Sequence, residues 1–439
     1  MSHPPWFDHL VASFRASLAA LPDSRNPSNN TKYEMIDAAL SAFSVFFTQT
    51  PSFLAQQRAL HQQQGRHNLL SLFGVPQIPC DNQIRNLLDP VPVESLFPAF
   101  AEVRAVLAET GHLARWQGWQ GQFFIALDGV RYFSSQAIHC DKCNTRQLKN
   151  GVTEYFHQAV TPTLVCPGES LVLPLEPALV MPQDGHEKQD CENAAAKRWL
   201  RAHGVEWAAR GATLLGDDLY GHQPLCEIAL EEKLNFIFNC REESHRTLYE
   251  WLAGVELEAV ERVVVERGRK RVERYRYLNG VPVRDGADAL LVNWCDYEER
   301  DASGRVVYYN AWVTNWELTP ASVVSVAQAG RSRWKIENEN NNTLKTKGYQ
   351  FERNFGHGKE NLAGVLATLN ILAYVWHTVL ELVDADYRTV RVLVGPRATF
   401  FGDVRTLLKY MYWGSWEELM GFMRKELESG RKRGRAAPT

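Results

Sequence analysis

Two short apolar runs that each stop at an aspartate constrain this chain more than any other feature. Phe123–Leu127 ends in Asp128-Gly129, and Gly211–Gly216 ends in Asp217-Asp218. A continuous apolar run of this length, closed by a turn signal, predicts a strand buried in a sheet. Tyr132–Ala137, Tyr155–Val165, Ser170–Leu175 and Leu234–Asn239 predict further strands, while Cys191–His203 and Pro224–Lys233 have helical spacing. The expected class is therefore α/β. A carboxylate that closes a buried strand lies at the rim of the sheet, where open α/β sheets place their ligands.

At 439 residues the chain is too long for one ordinary domain. Residues 1–118 read as a helical N-terminal domain: Tyr33, Ile36, Ala39, Leu40, Phe43 and Phe46 recur at helical spacing, and Val93–Leu113 repeats the pattern. Residues 119–240 carry the first part of the strand-rich core. Residues 241–305 change texture, with strand-like segments between turn signals at Asn279-Gly280, Asp285-Gly286 and Ser303-Gly304. They predict a β-rich insertion. The strand Val306–Thr314 returns to the core, whose second part spans 306–390. Thr319-Pro320 is a helix-opening pair, Thr as N-cap and Pro at the first helical position. The helix it opens is expected to run through Arg333, Glu337 and Lys345 to Gly348, with a second apolar helix at Leu362–Leu382. Residues 391–439 are a C-terminal helical segment with a basic tail, unstructured from Ser429.

A hydrophobic share of 45% and a charged share of 23% belong to a globular chain. The longest apolar stretch is interrupted by Thr368, Asn370 and His377, so no membrane span is expected. The N-terminus lacks the basic and apolar regions of a secretory signal, and the expected place is the cytoplasm. There the eight cysteines would stay reduced. Net charge is −3, so any nucleic-acid partner would need a local basic surface rather than a basic total.

Three carboxylates stand apart by position: Asp128 and Asp217 at strand ends, and Glu337 within a late helix. Hard divalent cations take a few carboxylates plus phosphate oxygens and waters. Two such ions can serve the attacking and leaving oxygens of a phosphoryl displacement. The words around them are Ala126-Leu127-Asp128-Gly129, Leu215-Gly216-Asp217-Asp218-Leu219-Tyr220 and Arg333-Trp334-Lys335-Ile336-Glu337-Asn338. Together these resemble the three motifs of insertion-sequence DDE transposases, over roughly residues 120–380. Lys347-Gly348-Tyr349 and Asn354-Phe355-Gly356-His357-Gly358-Lys359 resemble one subgroup of them.

The resemblance implies an RNase H-like catalytic core, with a helical N-terminal domain and a β-rich insertion before the last acidic helix. It implies two Mg²⁺ or Mn²⁺ ions on Asp128, Asp217 and Glu337, cleavage at transposon ends, and strand transfer of 3′-hydroxyls into target DNA. It also implies double-stranded DNA as partner and a homodimer upon it. A nuclease without strand transfer, or a catalytically silent DNA-binding derivative, would carry the same words. The family signature runs Tyr, two residues, Arg, three residues, Glu, six residues, Lys. Arg333 and Glu337 fit, Gly330 stands at the Tyr position, and Lys345 is one place late. Arg333, Asn341 and Lys345 share the helix face of Glu337 at intervals of four and are expected to face DNA. Asp217 is preferred over Asp218 because Tyr220 then completes the family's Asp-x-x-Tyr. Glu339 is expected to point away from Glu337.

Other residues have two readings. Cys140 and Cys143 form a CxxC, and His157 and Cys191 are the expected completing ligands of one structural zinc, against plain reduced thiols. His186 lies in the same stretch. Lys188, Asp190 and Glu192 open a helix, where acidic residues complement the helix dipole or flank the active site. Arg269, Lys270 and Arg271 lead a basic hairpin with Arg262, Arg267, Arg274 and Arg276. It suits phosphate contacts, although Glu261, Glu266 and Glu273 partly neutralise it. Trp294, Trp312 and Trp316 read as core, or as a surface for a flipped base.

Overall fold

A computed structural model describes residues 5–26, 32–60, 67–182, 191–266 and 269–435. Thirteen strands occur among them. They are β1 (Phe123–Ala126), β2 (Gly129–Ser135), β3 (Asn144–Gln147), β4 (Thr153–Val160), β5 (Thr163–Val165), β6 (Leu173–Pro174) and β7 (Ala178–Val180). Then come β8 (Ala212–Gly216), β9 (Asn235–Asn239), β10 (Glu258–Glu266), β11 (Arg269–Pro282), β12 (Leu291–Arg300) and β13 (Val306–Thr314). Nine form one mixed sheet in the order β10-β11-β12-β13-β9-β8-β1-β5-β6. The expected α/β class is what the chain adopts.

The apolar runs explain the centre of that sheet. Every residue of β1 and β8 is buried, as a strand covered on both faces requires. The two pair in parallel, Ala126 opposite Leu215, and β8 pairs in parallel with β9. Trp207, from the helix Glu192–Ala209, covers one face against Phe123, ring centroids 5.9 Å apart. A second sheet, β2-β4-β3 with β7 on β4, stands beside the ends of β1 and β5.

The segment 241–305 holds β10, β11 and β12 with one helix, Arg246–Ala253, and it is no separate layer. Its three strands continue the central sheet through β13, which pairs antiparallel with β9. Asn279-Gly280 does not turn the chain. It bulges within β11, where Asn279 Nδ2 donates to Leu318 O at 2.8 Å and Gly280 N–H donates to Asn293 Oδ1 at 3.0 Å. The side-chain amides satisfy a backbone that the ladder leaves unpaired, so a turn signal becomes a bulge.

The first 118 residues do not stand apart either. Phe7 lies against Trp416 at 4.9 Å and Phe47 at 5.4 Å, and Phe43 against Trp376 at 4.7 Å. Asn68 Nδ2 donates to the carbonyls of Leu408 and Met411, and His377 Nε2 meets Phe47 O at 2.9 Å. The N-terminal helices and the four C-terminal ones therefore share one core. Each aromatic ring buried there stabilises it by about 1.5–3 kcal/mol. The helix Leu362–Val383 runs through the middle of that core. It is long and apolar enough to cross a membrane, where the sequence suggested too many interruptions, yet 94% of its most apolar window is buried inside the protein. A helix apolar all round is what such a position demands. The last helix, Trp416–Arg435, continues past Ser429, where an unstructured tail was expected.

Candidate active site

Asp128 and Asp217 meet because β1 and β8 are parallel and in register. Leu127 N–H donates to Leu215 O at 2.8 Å, one step past the last paired strand residues, which sets Asp128 level with Asp217 at the same rim. Asp217 Oδ1 accepts from Leu219 N–H at 2.9 Å. Asp218 turns away: it accepts from Arg241 N–H at 2.7 Å and Ser244 Oγ–H at 2.6 Å, which leaves it a loop-holding role.

Glu337 arrives on a helix that is not the long one the sequence predicts. Thr319 and Ser322 exchange hydrogen bonds, Thr319 N–H to Ser322 Oγ at 2.8 Å and Ser322 N–H to Thr319 Oγ1 at 3.2 Å. The helix then runs only over Val323–Arg331. After a turn at Ser332-Arg333 the chain winds into a π-turn, Ile336–Asn341, before a last helical turn at Asn342–Thr346. Such widened turns are rare and are found frequently at functional sites. Here the widening lets neighbours share one target. Asn340 Nδ2 reaches Thr161 Oγ1 at 3.3 Å, Thr161 Oγ1 donates to Asn341 Oδ1 at 3.2 Å, and Asn341 Nδ2 donates to Asp128 Oδ2 at 2.7 Å. Asn341, expected to face DNA, spends its amide on Asp128 and is buried. Tyr374 O–H donates to the Glu339 carbonyl at 2.8 Å, and the Glu339 charge is felt by that Tyr, on the side of the helix Leu362–Val383.

A fourth carboxylate joins the three. Glu192, in the first turn of the helix Glu192–Ala209, accepts from Gln158 Nε2, and Tyr220 O–H reaches it at 3.5 Å. Gly129 explains the approach: a Cβ there would stand 2.2 Å from Glu192 Cδ, so only glycine lets the carboxylate reach the end of β1. Burial pushes the Asp128 carboxyl up to about 7. Arg333 opposes that rise, and the charges of Glu337, Glu192 and Asp217 add to it. Burial likewise raises Glu192, with the Gln158 hydrogen bond opposing and the Asp217 charge adding. Asp190 and Lys188 lie outside the described residues.

Arg333 Nη2 pairs with Glu337 Oε1 at 2.7 Å, while its Nη1 is buried without a partner among the described residues. Arg333 also borders a cleft of about 830 Å³ with Tyr308, Tyr309 and Arg241. Trp334 beside it is 46% exposed. Gly330 holds the family's Tyr position for a steric reason: a Cβ there would stand 2.5 Å from Trp312 Nε1, so the indole occupies the space. Lys345 pairs with Glu352 at 2.7 Å. In the basic hairpin Arg271 pairs with Glu299 at 2.8 Å, Arg274 with Glu261 at 3.6 Å and Arg276 with Asp296, while Lys270 is exposed. Arg267 and the Arg269 side chain lie outside the described residues. Trp294 and Trp312 are buried, and Trp316 packs on Trp119 at 4.9 Å.

The CxxC pair meets His157 as expected, but its fourth neighbour is His357 rather than Cys191. Cys140, Cys143, His157 and His357 bring one ligand atom each to within 4.8 Å of one another. Cys191 is not among them. It is exposed and precedes the helix that carries Glu192. His186 lies outside the described residues. Hydrogen bonds from Cys143, His157 and His357 favour the Cys140 thiolate and hold its thiol well below the usual range, against the opposing effect of burial. The signal for His357 was a histidine between two glycines, far from the CxxC in sequence.

No protein-family model matches this sequence, and no curated protein matches it. Among solved structures, a cryo-EM structure of a piggyBac transposase synaptic complex with hairpin DNA is similar, with a TM-score of 0.39 and 12% identity over 96% of this chain and 79% of that one. At that distance the similarity assigns no residue and no activity to this chain.

Proposed function

We propose that the chain is a DNA transposase of the DDE type, built on an RNase H-like core and acting on double-stranded DNA as a pair of chains. The observation that supports this reading is the placement of Asp128 and Asp217 at level ends of two adjacent parallel strands, with Glu337 and Glu192 near enough for their charges to act on Asp128. The order β6-β5-β1-β8-β9, antiparallel at first and then parallel, suits an RNase H-like core. The residues fit a divalent metal: a half-buried carboxyl held at about 7 by burial and by three like charges is a group that a cation would return to its charged form.

Asp128, Asp217 and Glu337 would hold Mg²⁺ or Mn²⁺, which when bound lowers the charge cost of phosphoryl displacement. The chain's own residues supply the rest. Asn341, braced by Thr161, keeps one Asp128 oxygen turned to a fixed donor. Arg333 borders the cleft and pairs with Glu337, so its guanidinium would set the charge that a DNA phosphate meets there. Gln158 and Tyr220 hold Glu192 against the rim.

The test uses the full chain, Mn²⁺, and duplex DNA taken from both flanks of its own reading frame. Nicks at defined ends followed by joined products are expected, and both are lost in Asp217→Asn. Cleavage without joining would make it a nuclease. Binding without metal-dependent cleavage would make it a catalytically silent derivative. Neither binding nor cleavage overturns the reading altogether.

A further inference from the structure

We propose that Cys140, Cys143, His157 and His357 hold one structural zinc ion, which clamps the segment after the Glu337-bearing helix onto the second sheet. The distances carry this. Zinc bonds of about 2.3 Å to sulfur and about 2.05 Å to nitrogen, set at tetrahedral angles, place two sulfurs about 3.8 Å apart and a sulfur and nitrogen about 3.6 Å apart. The two Sγ atoms are 3.9 Å apart. His157 Nε2 stands 3.6 Å from Cys140 Sγ and 3.4 Å from Cys143 Sγ, and His357 Nε2 stands 3.5 Å from Cys143 Sγ. Both rings present the same nitrogen to the same point, although they come from chain positions 200 residues apart by subtraction of 157 from 357. Hydrogen bonding among thiols and imidazoles does not require that convergence; a tetrahedral cation does.

The surroundings agree. Tyr132 stacks on His157 with ring planes 7° apart, and Phe133 lies 4.3 Å from the His357 ring, so the site has an apolar wall. Two thiolates balance a dication, which makes the buried unit neutral and removes the cost of burying bare charge. Two sulfurs with two imidazoles are a donor set that selects zinc. Four protein ligands also close the coordination sphere, as structural sites do.

The clamp is placed to matter. Cys140 and Cys143 sit between β2 and β3, and His157 lies on β4. His357 lies in the chain between Thr346 and Leu362, directly after the segment that carries Glu337 and Asn341. That connection is held at its far end by Asp89, whose carboxylate accepts from the backbone N–H groups of Lys359, Glu360, Asn361 and Leu362. Near its start Asn370 Nδ2 donates to Tyr349 O at 2.9 Å. Between them Phe351 packs on Tyr132 of β2, ring centroids 5.9 Å apart, and His357 adds a side-chain link to the Cys143 thiol beside the second sheet.

The experiment is elemental analysis of the full chain purified without added metal, with cobalt(II) exchange as a second readout. About one zinc per chain is expected, and the cobalt protein should show the spectrum of a tetrahedral site with two thiolates. Cys191→Ser should leave zinc content unchanged. His357→Cys should keep the metal and raise the thiolate-to-cobalt absorption by about half, from two thiolates to three. In the zinc-stripped protein, limited proteolysis should gain a cut between Thr346 and Leu362. A folded wild-type chain without zinc, a Cys140–Cys143 disulfide in its place, or a cobalt spectrum indifferent to His357→Cys would overturn the proposal. None of these readouts depends on DNA cleavage.

Discussion

Asp128→Asn should make the protein more stable while removing its proposed activity. Burial and three like charges move the Asp128 carboxyl from 3.8 to about 7. A folded-state value above the unfolded one means that the folded chain binds this proton more tightly. Its stabilising share is present below pH 3.8 and is lost as pH rises to about 7. The full span is worth about 4 kcal/mol, at about 1.36 kcal/mol per tenfold change. Asp128 is at the rim with partial solvent access, so screening reduces the measured gain at pH 8 to about 2–3 kcal/mol. The asparagine keeps an oxygen to accept from Asn341 and carries no charge at any of these pH values. Urea unfolding of both proteins, zinc retained and Mg²⁺ or Mn²⁺ omitted, gives the comparison at pH 8, 6 and 5. The gain should shrink steadily toward low pH. Adding Mn²⁺ should raise the wild-type midpoint more than the variant's, since a ligand stabilises the state that binds it. If Asp128→Asn is no more stable at pH 8, or its gain does not fall with pH, the account of a strained carboxylate cluster is wrong.

Two further outcomes follow from single contacts. Arg104 and Glu176 form a buried pair, 2.6 Å apart and 5% and 2% exposed, that joins the helix Pro98–Glu109 to the chain beyond β6. Arg104→Met leaves Glu176 uncompensated and should lower unfolding free energy by about 3–5 kcal/mol in urea, in one transition for the whole chain. Trp334→Ala should weaken binding of duplex DNA with unpaired single-stranded ends by about 1–3 kcal/mol, read by fluorescence anisotropy at fixed salt, because an exposed indole beside Arg333 offers a stacking face to an unpaired base. Its melting temperature should be unchanged, and an unchanged affinity would refute the stacking role.

The centre of the sheet was legible because its residues obey one local rule. Phe123–Leu127 is apolar without alternation and Gly211–Gly216 is broken only by Thr213, and a strand covered on both faces tolerates that. The ends of the chain were not legible as part of the same body, since helical periodicity marks an apolar face but never its partner. Phe7 and Trp416 stack at 4.9 Å, and nothing local in either segment announces the other. The same limit hid His357: a CxxC asks for two more ligands, and proximity along the chain favours Cys191 over a histidine in a distant loop. The late helix failed differently. Its four-residue spacing of Arg333, Glu337 and Asn341 was read on a regular helix, yet only the first pair, at 2.7 Å, behaves as that spacing predicts. Asn341 turns to Asp128 because the backbone widens beneath it, a choice made by the buried Asn340 and Thr161 rather than by propensity.

That widening bears on why the site needs so many supports. Asp128, Glu192, Asp217 and Glu337 come from four separate segments; burial raises the Asp128 carboxyl first, and the other three charges add to that rise against Arg333. Each is therefore held by contacts that do not depend on the others. The parallel register of β1 and β8 fixes both aspartates, and Gly129 admits Glu192 where Gln158 can hold it. Arg333 holds Glu337, and Asn340 with Thr161 holds the Asn341 amide on Asp128. A cluster braced in this way would stay in place at a cost of about a few kcal/mol, as the proposed function requires of carboxylates set in place before a cation binds. Removing a brace should then differ from removing a charge. Loss of Asn341 loosens Asp128 without relieving its repulsion, so it should lower stability and metal affinity together, whereas loss of the Asp128 charge lowers metal affinity and raises stability.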